Sequence, residues 1–263
     1  MIIMNETDYA MRLIQERTLT NKPSEALRVV AKYYIWTEKL RKKDVKKKVI
    51  SFLSQSSPMA SIPKWDDAIE YAISVAAKHK PIEVDEVVVT VPEMEVVDAI
   101  KSKQERKLAF TLLCLSKYWD SVNGTDNHWV NSKDTEIMKL ANISPTLRRQ
   151  SSLYASMRDA GLIEFSKRVD NTNVRVVFQK EGDAAVRVTD FRNLGYQYAA
   201  YHGEPYFACE SCGITTNGGT KGKRGGQRKY CPECANKIYI QKTVDLITRK
   251  RKSEQDSENV RNE

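Results

Sequence analysis

Histidine is almost absent from this chain, cysteine is confined to a few positions, and no apolar run approaches the length of a bilayer span. Three histidines and five cysteines occur in 263 residues. The histidines, His79, His128 and His202, share no metal-binding spacing, and there is neither a phosphate-cradling Gly-x-x-x-x-Gly-Lys-Ser/Thr loop nor a nucleophile elbow. We therefore read the chain as a protein that is not an enzyme, and His128 beside Trp129 as structural. A transmembrane helix needs about 20 consecutive apolar residues, and none is present. The first residues lack the charged-then-apolar order of a secretory signal, so the expected location is the cytoplasm, where structural disulfides are rare.

Four of the five cysteines form two Cys-x-x-Cys pairs, Cys209/Cys212 and Cys231/Cys234, separated by eighteen residues rich in glycine, lysine and arginine. Zn²⁺ favours four thiolates in a tetrahedron, and a two-residue spacer lets one tight turn present both sulfurs of a pair to the same ion. Two disulfides would require an oxidising compartment. An iron–sulfur cluster would sit in an apolar shell rather than against a basic, hydrophilic loop. The expected cofactor is thus one Zn²⁺. Because four cysteines leave no open coordination position, its role is structural rather than catalytic. Cys114, within Leu112-Leu113-Cys114-Leu115, reads as a small buried hydrophobe.

The composition, 41% hydrophobic and 29% charged, is that of an ordinary globular protein with a net charge of +9. Between Lys221 and Lys252 there are eleven Lys/Arg against two acidic residues, so this segment alone carries an excess as large as that of the whole chain. Basic charge concentrated in this way attracts polyanions, because neutralised phosphates release their condensed counterions.

The apolar spacing predicts a mainly α fold with small β elements. Residues 1–99 read as a helical N-terminal region. Its basic run Lys39–Lys48 reads as a solvated helix face, and the acidic cluster Glu83, Asp85, Glu86, Glu93, Glu95 and Asp98 as solvated surface. Thr90-Val91-Pro92-Glu93 matches a capping box after the β-prone Val87-Val88-Val89. Residues 100–180 read as a winged helix-turn-helix. A long helix Gln104–Trp119 with a broad apolar face comes first, then an extended His128-Trp129-Val130 and a short helix Ser132–Leu140. Next comes a helix capped by Ser144-Pro145 and ended at Gly161, and last a hairpin of Leu162–Arg168 and Asn173–Phe178. A connector over 181–204 leads to a four-cysteine zinc module over 205–252, either a zinc ribbon or a treble clef, with a basic helix behind it. Residues 253–263 read as a disordered tail.

The passage SPTLRRQSSLYASMRDAGLIEFSKRVDNTNVRVVF resembles the second half of winged-helix domains. More specifically, LAFTLLCLSKYWD, DAGLIEF, VTDFRNLGYQY and YFACESCG…KYCPEC are similar to uncharacterised proteins that join a winged helix to a four-cysteine zinc module and are encoded by phages and integrative elements of Gram-positive bacteria. The resemblance covers roughly residues 100–250. It implies a mobile-element origin, and hence the host cytoplasm, without supplying a biochemical role.

In a helix-turn-helix the second helix enters the major groove. Here it would turn Leu147, Tyr154 and Met157 inward and offer Thr146, Arg148, Arg149, Gln150 and Ser152 to base edges. The wing would bring Lys167, Arg168, Asn171, Asn173 and Arg175 to phosphates. The zinc finger would add Lys221, Lys223, Arg224, Arg228 and Lys229, with Arg249–Lys252 behind it. Tyr230 and Tyr239 read either as stacking platforms for unpaired bases or, as we prefer, as packing against a small zinc core. The expected function is a zinc-containing DNA-binding protein of a phage or mobile element, a transcriptional regulator or replication accessory factor that binds duplex DNA. The alternative is a non-catalytic protein that docks on a replication or transcription complex.

Overall fold

The computed structural model describes residues 2–57, 61–167, 173–218 and 228–261, with side chains as far as Lys250. The N-terminal helices α1 (Glu6–Glu16), α2 (Pro23–Lys32), α3 (Lys42–Ser56) and α4 (Ile62–Lys78) enclose a core that includes Leu27, Val30, Val49, Leu53, Ile69 and Ile73. Asn5 caps α1 by accepting from the Asp8 N–H, and proline stands in the first turn of both α2 and α4, where its missing N–H costs nothing. A π-helical turn, Tyr33–Thr37, prolongs α2, and Trp36 Nε1 from it donates to the Ala76 carbonyl on α4 at 2.8 Å. Lys42, Lys43, Lys47 and Lys48 of α3 are exposed, as a solvated basic face requires. Elsewhere in this bundle lies a buried ion pair, Lys32 to Glu6 at 2.5 Å. Glu6 also accepts the Ile82 N–H at 2.8 Å, which binds the first two helices to the chain leaving α4.

A second core is built around one helix. Its elements in chain order are β1 (Val87–Thr90), α5 (Val91–Asp98), α6 (Lys103–Asn123), β2 (Trp129–Val130), α7 (Asp134–Leu140), α8 (Leu147–Asp159), β3 (Ile163–Phe165), β4 (Val174–Val176), β5 (Ala184–Val188) and α9 (Leu194–Tyr201). Every residue of α6 from Lys107 to Ser116 is buried, so this helix has no solvent face over those turns. Strands β2, β4 and β3 form an antiparallel sheet in that order, with Arg175 opposite both Trp129 and Glu164. Strand β1 pairs antiparallel with β5 across almost a hundred residues of chain.

Several expectations change here. Residues 181–204, read as a connector, hold β5 and α9, whose Val188, Leu194 and Tyr198 join the core around α6. Glu93, read as surface, is fully buried. It closes the capping box by accepting the Thr90 N–H at 2.8 Å, takes the Lys180 N–H at 3.0 Å, and pairs with Lys117 at 2.8 Å. The cap of α8 is Thr146, whose hydroxyl accepts from the Arg149 N–H at 3.3 Å, rather than Ser144. Leu147 then falls in the first turn, ahead of the packed positions Leu153, Tyr154 and Met157, and is 83% exposed instead of turned inward.

The C-terminal module consists of β6 (Tyr206–Ala208), paired antiparallel with β7 (Thr215–Asn217), and α10 (Pro232–Arg261). The segment read as a disordered tail continues α10 to Arg261, because no glycine or proline after Pro232 stops the helix. No helix among the described residues is long and apolar enough to cross a membrane.

Glu93→Ala should cost about 3–5 kcal/mol, the penalty for stripping a buried charge pair of one partner. Urea unfolding followed by circular dichroism would measure it. A change within about 1 kcal/mol would show that Glu93 does not bind β1 and α5 to the rest of the core.

Candidate metal centre and nucleic-acid surface

Cys209 and Cys212 lie in the turn between β6 and β7, and Cys231 and Cys234 at the start of α10. The turn is shaped by the Cys209 N–H bonded to the Ile214 carbonyl at 3.0 Å and the Gly213 N–H bonded to the Cys209 carbonyl at 2.9 Å. Gly213 has φ +74, a left-handed conformation that other residues adopt only with strain. The four sulfurs lie within 4.8 Å of one another, and Cys212 Sγ stands 3.7 Å from Cys231 Sγ. That separation is far beyond a disulfide bond. It matches the spacing of about 3.8 Å that four bonds of about 2.3 Å set up around a tetrahedral Zn²⁺. The donor set therefore fits one metal ion held by four cysteines.

Their local electrostatics are unequal. Burial pushes the Cys209 thiol up, but the backbone N–H groups of Cys231, Cys212 and Ser211 outweigh it and bring the thiol down to about 6. The Cys231 N–H reaches Cys209 Sγ at 3.2 Å, so the second pair prepares a thiolate in the first. Burial pushes Cys212 up to about 12 and Cys234 up as well. A divalent cation must displace those protons, and four thiolates around a single dication favour a fully enclosed ion over an open catalytic one.

The module has little core of its own. Cys209, Cys231 and Cys234 are buried, with Cys212 and Ile214 packed against them. Tyr230 and Tyr239 do not add to it, since they are 37% and 69% exposed. The module leans on the body instead. Arg192 Nη2 donates to the Cys212 carbonyl at 2.6 Å while its Nε holds Asp190 at 2.7 Å. Tyr206 at the start of β6 stacks on Tyr196 of α9 with ring centroids 4.5 Å apart, and Lys107 Nζ lies over both rings at 5.2 and 5.8 Å. Lys107 is itself buried, and burial lowers its pKa. These tethers escaped the sequence reading. The available signal was the tract Thr189-Asp190-Phe191-Arg192-Asn193, polar residues dense in a stretch read as a connector.

The basic residues separate into groups. Thr146, Arg148, Arg149 and Ser152 are exposed or partly exposed along the first turns of α8, with Gln150 partly covered. The guanidiniums of Arg148 and Arg149 have no hydrogen bond or ion pair among the described residues. Lys167 is exposed. Arg175 is occupied, donating to the Asn127 carbonyl at 3.2 Å and to Glu164 at 3.3 Å, which makes it a brace across the sheet. Arg228 and Lys229 are exposed beside the metal site, Lys229 lying 3.5 Å from Glu210. Arg168, Asn171, Lys221, Lys223 and Arg224 lie outside the described residues, as do the side chains of Arg251 and Lys252.

Asp120, Asp126 and His128 also approach within 4.8 Å. Asp120 accepts the N–H groups of Asn127 and His128 and holds His128 Nδ1 at 2.8 Å. It thereby fixes the loop in which His128 takes φ +60, a structural task.

Cys212→Ser should lower the bound metal from one ion per chain toward none, read by elemental analysis after gel filtration. The apparent affinity for Zn²⁺ should fall on acidification, and its logarithm should fall more steeply by one unit per pH unit below about pH 6, where Cys209 also binds a proton. Competition titrations with a chromophoric chelator would show whether the slope changes there.

Comparison with protein-family models, with curated protein sequences and with solved structures returns no match. A functional reading of the chain therefore stands on its own residues and geometry.

Proposed function

We propose that this chain is a duplex-DNA-binding protein in which residues 100–180 form a winged helix-turn-helix and the four-cysteine module holds one structural Zn²⁺. The observation that carries the reading is α8. It follows α7 through a short turn, a three-stranded sheet flanks it in the order β2-β4-β3, and its first turns expose Arg148 and Arg149 with no acidic partner among the described residues. An α-helix fits the major groove, and arginine grips guanine there in bidentate fashion. Thr146, Gln150 and Ser152 stand on the same turns. Lys167 extends the surface toward phosphates, and Arg228 and Lys229 beside the metal supply further backbone contacts. We place this binding in transcription or replication of a mobile element, a setting that rests only on the sequence resemblance to proteins of phages and integrative elements.

One observation favours the alternative, docking on a protein complex. Helix α10 exposes Tyr239, Ile240, Val244, Leu246 and Ile247, each between 48% and 69% accessible, over little more than two turns. At 100° per residue these five cover one side of the helix, whereas Lys237, Lys242 and Arg249 flank it. A face of that kind suits an apolar protein surface with an acidic border.

Fluorescence anisotropy with labelled duplex and single-stranded oligonucleotides across a salt series tests the first reading. Duplex binding should weaken steeply with salt. Arg148→Ala together with Arg149→Ala should reduce affinity at least tenfold and relax discrimination between duplex sequences, with the salt slope little changed. Absence of duplex binding at low salt would overturn this reading. Retained binding to a protein complex that Ile240→Glu and Ile247→Glu abolish would then establish the alternative.

A further inference from the structure

The metal module and the turn before α8 are connected by a chain of side-chain amides. Asn193, at the entry to α9, donates from Nδ2 to the Thr215 carbonyl at 2.9 Å. Thr215 opens β7 directly after Ile214, whose carbonyl holds the Cys209 N–H. The other end of the same amide, Oδ1, accepts from Asn142 Nδ2 at 2.9 Å. Asn142 sits in the turn between α7 and α8, and its own Oδ1 accepts the Tyr196 N–H at 3.1 Å, capping α9 from outside. Both asparagines take left-handed backbone conformations, φ +53 at Asn142 and φ +59 at Asn193, which asparagine tolerates better than most residues. The two backbones touch, since a Cβ added at Gly195 would lie 1.9 Å from the Ala141 carbonyl oxygen. Arg192, the neighbour of Asn193, grips the Cys212 carbonyl at the ligand turn itself.

We propose that occupancy of the four-cysteine site sets the α7–α8 turn through Asn193 and Asn142, so that metal binding controls how α8 presents Arg148 and Arg149. The inference rests on the DNA-binding reading for its consequence, but not for its mechanism. With the ion bound, the Cys209–Ile214 turn is fixed and the Thr215 carbonyl stands where Asn193 needs an acceptor. Without it, the module loses the bonds that organise it, because its own core is little more than the cysteines. Thr215 and Cys212 then no longer hold Asn193 and Arg192 in place, and the turn loses one of its side-chain supports. Asn142 and Asn193 act as positioning residues through each other. By linkage, DNA bound to α8 must tighten metal binding by the same factor that metal tightens DNA binding.

Hydrogen exchange of the full chain, read by mass spectrometry with and without a chelator, tests this directly. In the parent protein, removing the metal should speed exchange of the Asn142 and Ile143 amides at least tenfold, as well as exchange within 205–218. Asn193→Asp keeps the acceptor for Asn142 but cannot donate to Thr215, and Asn142→Asp keeps the cap on Tyr196 but cannot donate to Asn193. Each variant should retain one metal ion per chain while its turn exchanges fast whether or not metal is present. Each should also bind duplex DNA more weakly than the metal-bound parent, and removing its metal should cost less than removing the parent's, because only the contacts of Arg228 and Lys229 remain to be lost. Fast exchange confined to 205–218 on metal removal, with the Asn142 and Ile143 amides unchanged, would overturn the coupling. If the turn responds to metal in the parent and not in the variants, yet no duplex DNA binds under any condition, the coupling stands and only the DNA-binding reading falls.

Discussion

A helix that is buried on every side must be surrounded, and that requirement organises most of this molecule. From Lys107 to Ser116, α6 presents no residue to solvent. Helices α7 and α8 and the β2-β4-β3 sheet cover only part of it. The remainder must come from chain far away in sequence, which is why β1 and α5 arrive from before α6 and β5 and α9 from well after it. The β1–β5 pairing, the Glu93 contacts with Lys117 on α6 and with the Lys180 N–H, and the packing of Tyr198 on Phe110 at 5.5 Å all join elements about 24 to 101 residues apart. A broad apolar stripe would have left one face of α6 free, and a connector over 181–204 would then have been sufficient.

This divides what was legible in the sequence from what was not. Signals carried by a few neighbouring residues were readable. Two Cys-x-x-Cys pairs at a two-residue spacing declare a metal site, Thr90 to Glu93 declares a capped helix, and the hydrophobic spacing at Tyr154 and Met157 declares the inner side of α8. The misread residues take their environment from distant chain. Glu93 looks like a surface acid because its partners Lys117 and Lys180 lie 24 and 87 positions away. Arg175 looks like a free cation because the carbonyl of Asn127 and the carboxylate of Glu164 meet it only once the sheet is formed. Leu147 was misplaced for a local reason, the cap falling at Thr146 instead of Ser144, which moves the apolar residue into the unpacked first turn.

The metal module shows the same dependence at smaller scale. Two short strands and the start of a helix bury little apolar surface, a deficit that an ion held by the four cysteines would offset and that the body offsets at the hairpin. The body supplies a buried cation, Lys107, shared by two tyrosine rings, one from α9 and one from β6. It also supplies an arginine aimed at a carbonyl in the ligand turn, and two asparagines that use both ends of their amides. Because these groups are buried or partly buried, an unmatched one is costly, and the contacts form or fail together.

That shared fate has a functional edge. A basic finger on an independent module would be free to move relative to α8, and contacts by the two would add like those of any tethered pair. Here α9 lies between them. Its first turn touches the α7–α8 turn at Gly195 and Ala141, and its Tyr196 stacks on Tyr206 at the base of the metal hairpin. The α7–α8 turn and the base of the metal hairpin are therefore packed against the same helix. Under the proposed DNA-binding reading, a relation of this kind would lower the ordering cost of simultaneous contacts on one polyanion for as long as the hairpin stays in place.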